Sequence, residues 1–163
     1  MKNLTLIRHA KSCWENPEVD DIARPLNARG SEAIAVMGNF LQTNKYLPDL
    51  ILSSPAVRAI DTAKGFAAYL QYEPKKIQAE PLIYFGTSLD ILNIIFVLDN
   101  KYQDVFLFGH EPKLSALIAH FTKKQVEKFP TCSVCRITFN TQKWENIKNG
   151  NCTLLIAPKD VVS

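Results

Sequence analysis

The stretch Leu4-Thr5-Leu6-Ile7-Arg8-His9-Ala10-Lys11-Ser12 decides how this chain is organised. Its first residues form a short apolar run, which is typical of a buried strand. Arg8 and His9 follow at once, so a cation and an imidazole stand where that strand ends. In open α/β sheets, ligands bind in the crevice outside the carboxyl ends of the strands. We therefore expect a functional site directly after the first strand, which we place at residues 3–8.

Two further apolar runs predict buried strands, at residues 49–53 and 104–108. The chain closes with β-rich segments at residues 135–140 and 153–157. Strands that alternate with helical segments favour a parallel sheet covered by helices, and a closing hairpin favours an antiparallel edge. The predicted fold class is a three-layer α/β/α architecture with a mainly parallel sheet and an antiparallel edge.

Helix boundaries are predicted from capping residues. Asn27 is expected to cap one helix, and Ser54-Pro55 is expected to begin another, with Ser as the N-cap and Pro at the first helical position. Ser88 is predicted to cap a third helix and Pro112 to begin a fourth. The segment Glu80–Gly86 is predicted to be a loop.

Length and composition indicate one domain spanning residues 1–163. The net charge of +3 is too small to favour nucleic acid or an anionic membrane surface as a partner. Met1-Lys2-Asn3 lacks the features of an export signal, and no apolar run approaches the roughly 18 residues of a membrane span. We therefore expect a cytoplasmic protein with no nucleic-acid or membrane partner and with reduced thiols.

Cys132 and Cys135 form a CxxC sequence. A zinc site of this kind needs a second pair at suitable spacing, and the chain has none. A redox CxxC lies at the start of a helix after a strand, whereas this one precedes a strand-like segment. We interpret both cysteines as incidental thiols near a strand.

Cationic side chains converge at one edge of the predicted sheet. Arg8 and His9 follow the first strand, Arg58 lies early in the helix after the second, and His110 follows the strand at 104–108. Such a cluster is stable around an anion, and arginine matches the oxygens of a phosphoryl group with a rigid fork of donors. A histidine there can also act as a nucleophile. Phosphoryl transfer mainly requires positioning and neutralisation of oxygen charge, so no metal or cofactor is expected.

Four sequence blocks resemble the histidine phosphatase (phosphoglycerate mutase-like) superfamily, in that family's order. They cover about residues 3–121 and are most similar to the SixA-type phosphohistidine phosphatase branch. The blocks are Arg8–Ser12, Arg24–Gly30, Ser53–Ala63 and Gly109–Pro112.

The resemblance implies that His9 is the nucleophile that becomes phosphohistidine. It implies that Arg8, Arg58 and His110 bind the phosphoryl oxygens and the transition state. Supporting roles are implied for three further residues, with Arg24 stabilising the loop or the phosphate rim, and Lys11 and Ser12 lining the mouth of the pocket.

The chain departs from the family pattern at the general acid. Many members carry a Glu or Asp in the loop before the fourth helix, and residues 81–86 contain no carboxylate. An alcohol leaving group needs a proton, and its acid is worth roughly 10²–10⁴ in rate. The absence favours phosphohistidine or another labile phosphoryl donor, although Glu80, Asp20 and Asp21 stay open as acids. The alternatives are a phosphatase of a small phosphorylated metabolite and a catalytically silent module that binds phosphate or a phosphopeptide.

Overall fold

The computed structural model describes residues 1–161, and the strands in this range form a six-stranded sheet of order β3-β2-β4-β1-β5-β6. The strands are β1 (Lys2–Arg8), β2 (Leu50–Ser53), β3 (Gln78–Ala79), β4 (Asp104–Gly109), β5 (Val134–Phe139) and β6 (Asn151–Ile156). Pairs β3–β2, β2–β4 and β4–β1 are parallel, whereas β1–β5 and β5–β6 are antiparallel. The predicted fold class is therefore confirmed, including its antiparallel edge.

The sheet separates two apolar clusters. Along β4, Val105 and Leu107 belong to one cluster and Phe106 and Phe108 to the other, because successive side chains of a strand point to opposite faces. Helices α1 (Ala28–Thr43) and α2 (Val57–Tyr69) supply buried residues to the face of the two phenylalanines. The opposite face is covered by α4 (Ser88–Phe96) and α5 (Lys113–Thr122). Two short helices, α3 (Pro81–Phe85) and α6 (Pro158–Val161), complete the described helices of α type, and none within residues 1–161 is long and apolar enough to cross a membrane.

Parallel pairing brings the ends of β1 and β4 together. Arg8 lies opposite Gly109 in the register of this pair, so the residues that follow, His9 and His110, leave the sheet side by side. The backbone N–H of His9 donates to the carbonyl of Gly109 at 3.1 Å, which extends the ladder by one more bond. The chain therefore delivers both histidines to one edge.

The predicted helix cap at Asn27 is confirmed. Its side-chain oxygen accepts a hydrogen bond from the N–H of Gly30 at 2.9 Å, which satisfies one of the unpaired donors of the first helical turn.

The prediction that Ser54-Pro55 begins a helix is wrong. Ser54 still donates its N–H to Phe108 as part of the sheet, and α2 begins only at Val57. The Ser54 hydroxyl accepts from the N–H of Ala56 at 3.1 Å instead of capping the helix. Its second contact is with His110, as described below.

The prediction that Glu80–Gly86 is a loop is also wrong, because residues 81–85 form α3. Pro81 occupies the first helical turn, where its missing N–H costs nothing, and Gly86 ends the helix. The cap of α4 is Thr87 rather than Ser88. The Thr87 hydroxyl accepts from the Asp90 N–H, and the Asp90 carboxylate accepts from the Thr87 N–H.

Gly30 sets the distance between α1 and the segment that follows His9. A Cβ atom at this position would lie 2.3 Å from the carbonyl oxygen of Lys11. That carbonyl accepts from the N–H of Asn27 at 3.0 Å, and the Asn27 side-chain amide donates to Ser12 at 3.2 Å. The first turn of α1 therefore holds the backbone of residues 11 and 12 in place.

We expect Gly30→Ala to destabilise the protein by about 1–3 kcal/mol, because the added methyl group must displace backbone rather than a mobile side chain. The midpoint of urea unfolding checks this. Ser31→Ala is the matched control, since Ser31 is exposed on the same turn and surface substitutions change stability by only about 0.5 kcal/mol. Equal midpoints for the two variants would contradict the close-approach role of Gly30.

Candidate active site

A cavity of about 280 Å³ opens at the edge where β1 and β4 end. It brings together all four residues of the predicted cationic cluster, and the two residues predicted at the mouth also line it. The lining residues are Arg8, His9, Lys11, Ser12, Trp14, Asp21, Arg58, His110, Glu111 and Thr131.

The His9 imidazole is held in one tautomer. It is 8% exposed, and its Nδ1 lies 2.8 Å from the carbonyl oxygen of Ala10. A carbonyl oxygen can only accept, so Nδ1 carries the proton and Nε2 keeps its lone pair. Burial, aided by the nearby charges of Arg58 and Arg8 and opposed by the hydrogen bond to Ala10, lowers the pKa of His9 to about 4. The ring is therefore neutral at neutral pH, with a free electron pair on Nε2.

The His110 ring lies beside it, with 5.2 Å between the two ring centroids. Its Nε2 is 2.7 Å from the Ser54 hydroxyl oxygen. The Ser54 hydroxyl accepts from Ala56, and among residues 1–161 its own proton has no acceptor other than Nε2, so we assign that proton to Nε2 and the His110 proton to Nδ1. Within the described residues, this buried Nδ1 has no hydrogen-bond partner. Burial and then the charge of His9 lower the pKa of His110 to about 3.

Arg8 brings to the cavity an N–H donor without a hydrogen-bond partner among the described residues. Its Nη1 donates to the carbonyl of Phe129 at 3.1 Å, which fixes the guanidinium. Its Nε is buried and lacks a partner among residues 1–161. Burial lowers the pKa of Arg8, opposed by the carboxylate of Glu111. The site thus holds two buried donors, Arg8 Nε and His110 Nδ1, that have no acceptor within residues 1–161.

Arg58 is bound by Asp21, a pairing that the sequence did not predict. Arg58 Nη1 donates to the Asp21 carbonyl at 2.6 Å, and Nη2 donates to the Asp21 carboxylate Oδ2 at 3.0 Å. The Tyr84 hydroxyl donates to the same Oδ2 at 2.6 Å. The bond from Tyr84 and then those from Arg58 hold the pKa of Asp21 below its usual range. Asp21 is therefore an ionised acceptor at neutral pH.

Tyr84 was missed because it lies in α3, within the segment predicted to be a loop. Its ring also stacks edge-on against His110, with 5.4 Å between the ring centroids. Proline at position 81 and glycine at position 86 are the sequence signals that would have predicted this helix. They do not indicate that its tyrosine reaches the residue 21 carboxylate.

Arg24 does not line the cavity. It is 8% exposed, and its guanidinium carbon stacks 3.6 Å from the centre of the Trp14 ring. Its Nε lies 3.7 Å from Asp21 Oδ1, which is an ion pair without a hydrogen bond. Arg24 is thus placed to stabilise the loop between β1 and α1. The candidate acids Asp20 and Glu80 are likewise not among the described residues that line the cavity.

The thiols of Cys132 and Cys135 lie on opposite faces of the sheet. Cys132 belongs to the apolar cluster under α1 and α2, and Cys135 to the cluster under α4 and α5. Both are buried and free, and burial raises the pKa of Cys132 to about 12. Over residues 1–161, no three His, Cys, Asp or Glu side chains are grouped so that they could hold a metal ion.

The free energy of unfolding is expected to fall as the pH drops from about 6.5 towards 4. An unfolded histidine titrates near 6.5, whereas His9 and His110 titrate at about 4 and about 3 in the folded protein. Between these values the unfolded state binds more protons, so acid favours unfolding by about 1.4 kcal/mol per pH unit for each proton taken up.

Urea unfolding of the parent and of His110→Gln at about pH 5 and about pH 7 tests this linkage. The variant should show the smaller difference between the two pH values, because one proton-binding group has been removed. His120→Gln is the matched control, since it removes an exposed imidazole of α5 outside the cavity. If the free energy of unfolding of His110→Gln changed between the two pH values as much as that of the parent, the lowered pKa of His110 would be refuted.

A family model and a mycobacterial protein match this chain in sequence. A family model described as the histidine phosphatase superfamily (branch 1) matches residues 4–81. The Mycobacterium tuberculosis protein Rv1276c is 28% identical over 162 residues, covering 92% of this chain and 96% of that protein.

Two solved structures superpose over nearly the whole chain. The protein histidine phosphatase SixA complexed with tungstate has a TM-score of 0.86 at 21% identity, covering 98% of this chain and 99% of that one. A SixA structure from Agrobacterium tumefaciens has a TM-score of 0.84 at 24% identity, covering 96% and 98%. At these identities the superpositions show a shared fold.

Proposed function

We propose that this chain is a histidine phosphatase, in keeping with the family model that matches residues 4–81, and that it hydrolyses phosphoryl groups through a covalent phospho-His9 intermediate. The observation that carries the proposal is the tautomer of His9, whose Nε2 lone pair is free in a cavity lined by Arg8, Arg58 and His110. We further propose that residues 1–163 form one such phosphatase domain.

In the first step, His9 Nε2 attacks phosphorus and the bond to the leaving group breaks. The proton on Nδ1 stays bonded to the Ala10 carbonyl throughout, so the phosphorylated ring is an imidazolium. In the second step, water attacks phosphorus and the electron pair of the P–N bond returns to Nε2. Phosphate then leaves with both protons of the water, and the neutral ring is regenerated.

The buried N–H donors of the cavity are placed to bind the phosphoryl oxygens. Arg8 Nε and His110 Nδ1 are buried without an acceptor in the part of the chain that the structure describes, and a phosphoryl oxygen would satisfy each of them. Arg58 adds a second guanidinium to the same cavity. Donors arranged in advance around the developing charge are the main requirement of phosphoryl transfer, so this chemistry proceeds without a metal ion.

The carboxylate at the site favours a nitrogen-linked phosphoryl group as substrate. Asp21 is held ionised by Tyr84 and Arg58, so it is a poor proton donor to an alcohol. A phosphoramidate leaving nitrogen is readily protonated and does not need such an acid. We therefore propose phosphohistidine as the substrate class.

A protein is the favoured carrier of that phosphohistidine. Trp14 lines the cavity and is 70% exposed, and Phe85, which contacts Tyr84 edge-on, is 68% exposed. Exposed aromatic side chains at a binding site are characteristic of contacts to macromolecules. One protein of the same fold is itself described as a protein histidine phosphatase.

Rates on two substrate classes separate this proposal from a phosphatase of small metabolites. We expect kcat/KM for phosphoramidate to exceed that for sugar phosphates by at least about 10²-fold. This factor is the lower limit of the rate enhancement that a general acid supplies to an alcohol leaving group. Equal or faster turnover of a sugar phosphate, measured as released phosphate, would favour the metabolite function.

Replacement of His9 by Ala is expected to abolish turnover, because the other imidazole of the cavity, His110, has its Nε2 bonded to the Ser54 hydroxyl and cannot take over the attack. Two quantities are measured with radiolabelled phosphoramidate: the phosphate released, and the label that stays bound to the protein after a quench without acid. The parent should retain label and His9→Ala should retain none.

His120→Ala is the control, since it removes an exposed histidine outside the cavity and should leave both readouts unchanged. Turnover by His9→Ala at the parental rate would end the proposal. A parent that binds phosphate but neither releases nor retains label would instead be a silent phosphate-binding module.

A further inference from the structure

Asp21 offers, inside the cavity, a carboxylate oxygen that accepts no hydrogen bond from the described residues. Its Oδ2 accepts from Arg58 and Tyr84, whereas Oδ1 has only the ion pair with Arg24 at 3.7 Å and no hydrogen-bond donor among residues 1–161. The side chain is 47% exposed, so Oδ1 is open to a ligand.

The other carboxylate of the cavity is already satisfied. Glu111 accepts from the N–H of Ser115 at 2.9 Å with one oxygen and from the Ser115 hydroxyl with the other. Among the described residues that line the cavity, Asp21 is therefore the carboxylate with an oxygen that accepts no hydrogen bond. Its position is fixed from two sides, by a guanidinium of α2 and a phenol of α3.

We propose that Asp21 is a specificity-determining residue whose Oδ1 accepts the distal N–H of a protonated imidazole leaving group. This inference rests on the proposed function and extends it, because it explains how one site would select N-phosphorylated over O-phosphorylated substrates. The ligand class is an N-phosphorylimidazolium, which carries positive charge beside its phosphoryl group.

The bond changes balance without any proton transfer to the leaving group. Nε2 of His9 forms its bond to phosphorus as the substrate P–N bond breaks, and the electron pair of that bond stays on the leaving nitrogen. The imidazolium thereby becomes a neutral imidazole that keeps its distal N–H. An ether or ester oxygen in the same place has no N–H to donate, so Asp21 stabilises the nitrogen-linked substrate alone.

The charge environment is consistent with this role. When a phosphoryl dianion is bound, its charge is opposed by Arg8 and Arg58, and Asp21 remains as the open anionic group at the cavity wall. The same carboxylate already raises the pKa of both His9 and His110 against the larger effect of burial. The Asp21 carboxylate thus stabilises positive charge on an imidazole ring at this site.

The test is the ratio of kcat/KM for N-phosphorylimidazole to kcat/KM for p-nitrophenyl phosphate, corrected for spontaneous hydrolysis. We expect Asp21→Asn to lower this ratio about tenfold, which is the lower value for losing a hydrogen bond to a charged group. The ratio is the informative quantity, because loss of the contact with Arg58 would slow both substrates together.

Two further variants complete the experiment. Asp20→Asn is the matched control, since it removes a neighbouring exposed carboxylate that does not line the cavity, and its ratio should equal that of the parent. Asp21→Glu keeps the negative charge and should recover most of the ratio.

Each outcome is decisive. A fall in the ratio for Asp21→Asn alone supports the inference. An equal loss on both substrates would make Asp21 a positioning residue for Arg58 and would overturn the inference while leaving the phosphatase proposal intact. A parent enzyme that hydrolyses neither substrate would instead remove the proposed function.

Discussion

The parallel pairing of β1 with β4 is the constraint on which the site depends. With Arg8 opposite Gly109 in the register, the next residues on both strands are histidines, and one further backbone hydrogen bond holds them together. A shift of one residue would send one of these side chains to the other face of the sheet. The buried strands that set this register also form the boundary of both apolar clusters, so the geometry of the site is as stable as the core beneath it.

Burial then decides the chemistry of the two imidazoles. Removing a cation from water is costly, and the neighbouring guanidiniums add to that cost, so both rings are neutral in the folded protein. A neutral ring whose Nδ1 is bonded to a carbonyl keeps a lone pair on Nε2, which is what a nucleophile requires. The acid sensitivity of folding and the nucleophilicity of His9 therefore have the same physical origin.

Much of the fold could be predicted from local sequence. Short apolar runs located β1, β2 and β4, and the Asn27 cap located α1, because burial and capping depend on residues close together in the chain. The Ser54-Pro55 prediction failed because both polar groups of Ser54 have long-range partners. Its N–H donates to Phe108 in the sheet and its hydroxyl contacts His110, so Ser54 does not cap a helix. The α3 prediction failed because a loop was assumed where Pro81 and Gly86 mark the ends of a helix.

The sequence by itself determined the fold class, the family blocks and the presence of Arg8, His9, Arg58 and His110 at strand ends. It could do so because the positions of the strands follow from the hydrophobic pattern and because each of these residues lies next to a recognisable element. Only the tertiary structure decided that Asp21 and Tyr84 meet at Arg58, since the first two lie 63 positions apart in the chain. It also decided which nitrogen of each histidine carries the proton. Contacts of this kind depend on how helices lie against the sheet, and no local pattern encodes that placement.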